Sequence, residues 1–100
     1  MVQATTPTFT LTLPNTVDLS LAVNIYFSLK QGKVEIQKQN DALVVDGQTV
    51  SVYLTQAETL QFSAGSAHLQ LNWTYSDGSR ACTNVATVQV TSNLLKEVVA

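Results

Sequence analysis

The stretch Leu69–Val90, LQLNWTYSDGSRACTNVATVQV, decides the fold. From Ala67 onward, Ala67, Leu69, Leu71, Trp73 and Tyr75 alternate with His68, Gln70, Asn72 and Thr74. That period of two is the mark of a half-buried β-strand. Ser76-Asp77-Gly78-Ser79 then reverses the chain, because Asp and Gly tolerate the positive φ of a tight turn. On the returning arm Cys82, Ala86, Val88 and Val90 fall on one parity, so they are expected inward, facing the same core as Trp73. The only Trp and the only Cys of the chain are therefore both placed on apolar faces, Cys82 as a small buried hydrophobe.

The same periodicity extends upstream. In TFTLTLP, Phe9, Leu11 and Leu13 share one face and Thr8, Thr10 and Thr12 the other, and Pro14 ends the run because it cannot donate to a ladder. Asn15–Ser20 reads as a turn. Val23, Ile25, Phe27 and Leu29 then alternate with Asn24, Tyr26 and Ser28, and after Gln31-Gly32 the run resumes with Val34 and Ile36, a hairpin over 22–38. Lys38–Asp41 reads as a polar turn. A second hairpin pairs Leu43–Val45 with Val50, Val52 and Leu54 across Asp46-Gly47. Thr55-x-x-Glu58 has the spacing of a capping box, with Leu54, Ala57 and Leu60 three apart, so one short helical crossover is expected near 55–60. The sum is a single all-β domain over 1–100: an immunoglobulin-like antiparallel sandwich of six to eight short strands, with a closed barrel as the competing arrangement. Residues 1–7 are expected to be a flexible polar leader. Residues 93–100, SNLLKEVVA from Ser92, are expected to form an apolar tail whose Leu94, Leu95, Val98 and Val99 make one stripe if helical, docked on the domain or on a neighbour.

Composition limits the partners. Hydrophobic residues make up 45% of the 100 positions and charged residues 12%, while Ser, Thr, Asn and Gln number 36, so the surface is covered mainly by uncharged polar groups. With five basic against seven acidic residues, all scattered, there is no basic stripe to neutralise phosphates, and no nucleic-acid partner is expected. No apolar run reaches the ~18 residues of a membrane helix, and no secretion signal opens the sequence. No membrane partner is expected, and a single Cys leaves stability to core packing.

Chemistry finds few supports. A nucleophilic site needs a base within reach, and only His68 and Cys82 could supply one, His68 from the polar side of a strand. Among the carboxylates, Asp46 and Asp77 belong to turns, Glu58 to a cap and Glu35 to a polar strand face, which leaves no acid–base pair. Asn40, Asp41 and Asp46 lack the alternating oxygen ligands of a calcium loop, zinc would need more Cys and His, and the four glycines form no phosphate loop. No catalytic residue, no metal and no cofactor is expected. Tyr26 and Tyr53 fall on the polar parity of their strands and are candidates for an exposed contact surface, for protein, peptide or carbohydrate.

The order FTLTLPNTVDLS, VNIYFSL, VSVYLTQAETLQFSAG and LQLNWTYSDGSRA resembles the small β-sandwich domains of tailed bacteriophages of Gram-positive hosts, in particular the N-terminal domain of the baseplate upper protein. Leu54, Thr55, Glu58, Thr59, Leu60 and Phe62 match its L-T-x-x-E-T-L-x-F segment, and Asp77, Gly78 and Arg80 its D-G-x-R turn. The baseplate proteins continue into a helical, receptor-binding region that has no counterpart here, so the resemblance implies an assembly or adaptor role. It implies a non-enzymatic virion component of tail, baseplate or head, made in the bacterial cytoplasm. Its implied partners are other virion proteins and further copies of itself, as a homo-oligomer with a trimer among the candidates. Leu94, Leu95, Val98, Val99, Tyr26 and Tyr53 are the expected interface residues.

Overall fold

The computed structural model describes all residues, Met1–Ala100. Its strands are β1 (Thr8–Thr12), β2 (Ala22–Gln31), β3 (Val34–Gln39), β4 (Leu43–Asp46), β5 (Thr49–Tyr53), β6 (Gly65–Tyr75), β7 (Arg80–Cys82) and β8 (Ala86–Val90), with one helical turn, α1 (Gln56–Thr59), between β5 and β6. They form two antiparallel sheets: one in the order β1-β5-β4, the other in the order β3-β2-β6 with β7 and β8 both along the far side of β6. The arrangement is an all-β sandwich, and its order matches the B-E-D and C′-C-F-G sheets of the immunoglobulin type. The barrel alternative fails because β1 and β4 each have one unpaired edge.

Alternation builds the core as expected. Phe27, Leu29, Val50, Val52, Leu54, Ala67 and Leu71 are completely buried, and Trp73 and Phe62 nearly so, in one cluster between the sheets. Phe9 of β1 meets Phe27 of β2 across the layers, ring centroids 6.3 Å apart. Both tight hairpins close on a two-residue loop, Gly32-Lys33 between Gln31 and Val34 and Gly47-Gln48 between Asp46 and Thr49. In each, the glycine takes the positive φ that a primed turn demands, 57° and 59°.

The crossover is a true capping box. Thr55 Oγ1 accepts from Glu58 N, and Glu58 Oε1 accepts from Thr55 N at 2.9 Å. The same carboxylate oxygen accepts from Lys38 Nζ at 2.8 Å, the only ion pair in the molecule, and Lys38 Nζ also donates to the Tyr53 carbonyl. A strand of one sheet is thus pinned to the segment that leaves the other. Ala57, expected on the apolar side of this turn, is exposed. Thr59 is buried instead, and its hydroxyl satisfies itself on the carbonyls of Thr5 and Gln56.

Val23 departs from its strand. Ala22 pairs with Tyr75 and Asn24 with Thr74, which leaves Val23 as an extra residue in a bulge. It is 57% exposed rather than inward. The leader is not free either: Val2 bridges Thr91 in parallel, Gln3 N donates to the Thr91 carbonyl at 3.0 Å, and the buried Gln3 amide donates to the Phe62 carbonyl. This short parallel bridge occupies the place of a first sandwich strand.

Two outcomes check this frame. Phe27→Ala should lower the unfolding free energy by about 3–5 kcal/mol in urea titrations, whereas Val23→Ala should change it by less than about 0.5 kcal/mol; equal losses would mean that Val23 points into the core. Burial resists ionisation of Glu58, but Lys38 and the Thr55 backbone and hydroxyl outweigh it and hold its carboxyl below the ordinary value. A depressed folded-state pKa stabilises above the unfolded pKa and is lost as pH falls through the folded one. Stability should therefore drop as pH falls below the ordinary glutamate range, about 4 to 4.5, and Glu58→Gln should flatten that part of the profile.

Candidate functional site

Two concavities stand out on the surface beside a minor third. The larger lies along the open side of the sandwich, between the unpaired edge of β1 and the β7–β8 edge of the other sheet. It is a cavity of about 650 Å³, walled by Leu11, Leu13 and Val17 on one side and Leu69, Trp73, Ala81 and Ala86 on the other, with Cys82, Thr83 and Asn84 at the rim. None of these residues is charged. On the same side residues 1–3 are held by Thr91 and Phe62, and the stretch between Leu11 and Ala86 is open. Trp73 Nε1 is satisfied within the wall by donating to Tyr75 Oη at 2.9 Å.

A break in the second arm of the terminal hairpin shapes the rim. Ala81 pairs with Trp73 and Cys82 with Asn72 in β7, but in β8 Ala86 pairs with Leu69 and Val88 with Ala67, a register displaced by one residue. A one-residue slip turns every side chain to the opposite face. Thr83 bridges the slip: its backbone N–H donates to the Leu71 carbonyl at 2.9 Å and its Oγ1 accepts from Leu71 N at 3.1 Å. Before the slip Ala81 packs against the core; after it Val88 and Val90 do, while Ala86, on their parity, is exposed and lines the open cavity. Cys82 does not share their side. The expectation of a buried thiol is wrong, and Cys82 is exposed.

The second concavity is a polar recess of about 290 Å³ on the outer face of the five-stranded sheet, lined by Tyr26, Ser28, Gln37, Asn72, Thr74 and Arg80. Adjacent strands place them: Tyr26 is opposite Asn72, Ser28 opposite Gln37, and Thr74 opposite Arg80. The Arg80 guanidinium donates twice to Asn72 Oδ1, through Nε at 3.2 Å and Nη2 at 3.0 Å. At the neighbouring turn the hydroxyl of Ser79, followed by its backbone N–H, stabilises the Asp77 carboxylate and lowers its pKa.

Sequence alone places Asn72 and Thr74 on the polar side of their strand and Arg80 in a turn motif. Nothing in it says that β2 borders β6, which is what brings Tyr26 to them. Tyr53 does not join Tyr26: it stands 53% exposed on the outside of the other sheet, beside Thr8, so the two tyrosines form no common platform. His68 pairs with Lys30 and Thr87, and Cys82 with Asn72, four positions along β6, or about 13 Å at strand rise. The structure brings no base to the thiol. Nowhere do three or more His, Cys, Asp or Glu side chains gather in a way that could hold a metal ion, and no helix is long and apolar enough to cross a membrane.

The tail is not helical. Residues 92–100 form neither helix nor strand and bend at Leu94 and Glu97, and Asn93 Nδ2 donates to the Gln3 carbonyl at 3.0 Å. Near the end, the Gln56 side chain clamps Val99, accepting from its N–H and donating to its carbonyl, both at 2.9 Å. With no helix there is no stripe, and Leu94, Leu95, Val98 and Val99 are all exposed, Leu94 fully. So short a helix has little intrinsic stability, and here two bonds from the Gln56 side chain to the Val99 backbone replace it.

The chain matches no protein-family model, no curated protein and no solved structure.

The displaced register has a direct readout. Cys82 should react with one equivalent of a thiol-specific disulfide reagent in the native protein without denaturant; a thiol that reacts only on unfolding would place it inward and remove the slip.

Proposed function

We propose that this chain is a non-enzymatic structural module of a bacteriophage or prophage particle, a component of tail, baseplate or head that acts through protein–protein contacts and self-association. The observation that supports this reading best is the uncharged, apolar open side of the sandwich together with the four exposed apolar residues of the tail. Exposed apolar surface of this kind marks contact with another protein. The order of the motifs from FTLTLP to the DGSR turn points the same way. Sheet edges add to it, since β1 and β4 each present unpaired backbone groups to a neighbour. Contacts built from neutral groups are driven by area, and salt screens them little.

Light scattering tests self-association. The full chain should run at a multiple of its 10.8 kDa mass, hold that mass from about 0.1 M to about 1 M salt, and fall towards the monomer when residues 94–100 are deleted. A monomer with the tail present removes self-association from the reading. Mass spectrometry of particles purified from an induced lysogen tests the virion assignment, and absence of the chain from those particles would remove it.

A further inference from the structure

We propose that the recess on the outer face of the five-stranded sheet binds a single pyranose carrying a carboxylate, with Arg80 holding the carboxylate and Tyr26 the face of the ring. The recess measures about 290 Å³, just below the roughly 300–1,000 Å³ of ligand pockets. It therefore takes one ring and leaves a longer chain to run out along the sheet.

The chemistry of the lining fits such a ring. A pyranose presents a C–H face and a rim of hydroxyls. Tyr26, half-buried, supplies the one aromatic surface. Around it the hydroxyls of Tyr26, Ser28 and Thr74, the Gln37 amide and the free Asn72 Nδ2 offer both donors and acceptors. No hydrogen bond within the protein engages any of these groups.

Arg80 sets the charge of the ligand. Its Nε and Nη2 edge is taken by Asn72 Oδ1, which fixes the plane of the guanidinium and leaves the end-on Nη1 and Nη2 fork free. That fork matches a carboxylate in two parallel bonds. No acid lines the recess, and the only ion pair in the molecule is Lys38 with Glu58, so the Arg80 charge is unmatched within the protein. One fixed cation suits one negative charge. A phosphate dianion would call for more, and the net charge of −2 with no second cation in the lining disfavours a polyanion. This site stands independently of the assembly reading, and its test does not involve the tail or the oligomer.

The test is a titration of the ¹⁵N-labelled full chain with galacturonic acid, galactose and galactose 6-phosphate, followed by amide shifts. Galacturonic acid should bind saturably, moving the amides of residues 26–28, 37, 72–74 and 80, and galactose at least about tenfold more weakly, the share of a charge-assisted bond pair. Arg80→Gln should reduce galacturonic acid to the affinity of galactose. Tyr26→Ala should weaken both sugars. Arg80 is exposed, so its variant should fold, and an unshifted thermal midpoint verifies that. No saturable binding of galacturonic acid, equal binding by Arg80→Gln, or tighter binding of the phosphorylated sugar would each overturn the assignment.

Discussion

Along the pairing of β2 with β6, Ile25, Phe27 and Leu29 stand opposite Trp73, Leu71 and Leu69 on the inner face, while Tyr26 and Ser28 stand opposite Asn72 and Gln70 on the outer. These are the two longest strands, and every other element is organised by what they bury. The inner row is the floor on which the three-stranded sheet lies, closed by Phe9, Val50 and Val52. The outer row is the polar recess. One ladder therefore sets the core and the candidate binding face at once, because neighbouring residues of a strand cannot point to the same side.

Where that ladder is interrupted, the surface acquires its character. The bulge at Val23 turns one apolar residue to solvent at the start of β2, and the slip at Thr83 turns Cys82 away from the core while Ala81 stays packed against it and Ala86 lines the open cavity. The slip costs little in hydrogen bonds, since Thr83 holds Leu71 with both its backbone and its hydroxyl. Its consequence is an irregular edge opposite β1, and that edge is one wall of the apolar cavity.

The termini complete the picture. The first residues are held by Thr91 and Phe62, and the tail is tied to Gln3 by Asn93 and to α1 by Gln56. What remains uncovered is uncharged and apolar on the open side, apolar at Leu94, Leu95, Val98 and Val99 of the tail on either side of Lys96 and Glu97, and polar with one fixed cation on the outer sheet. Those are two different kinds of surface, suited to a protein neighbour and to a small polar ligand, and they lie on different parts of the molecule.

Most of the architecture is written in local pattern. Alternation from Phe9 to Val90 gives the strands, glycine at positions 32 and 47 gives the hairpins, and Thr55 with Glu58 gives the crossover, because each depends only on residues a few positions apart. Parity could not locate Cys82 or Val23, since a single extra residue inverts it and the insertion is visible only against the partner strand. The tail shows the same limit: the pattern of Leu94, Leu95, Val98 and Val99 suits a helix, but the bonds that hold Val99 come from Gln56, far away in sequence. The recess is likewise beyond local reading. Tyr26, Gln37, Asn72 and Arg80 become one surface only when sheet order is decided, and sheet order follows from which apolar faces pack together across the core.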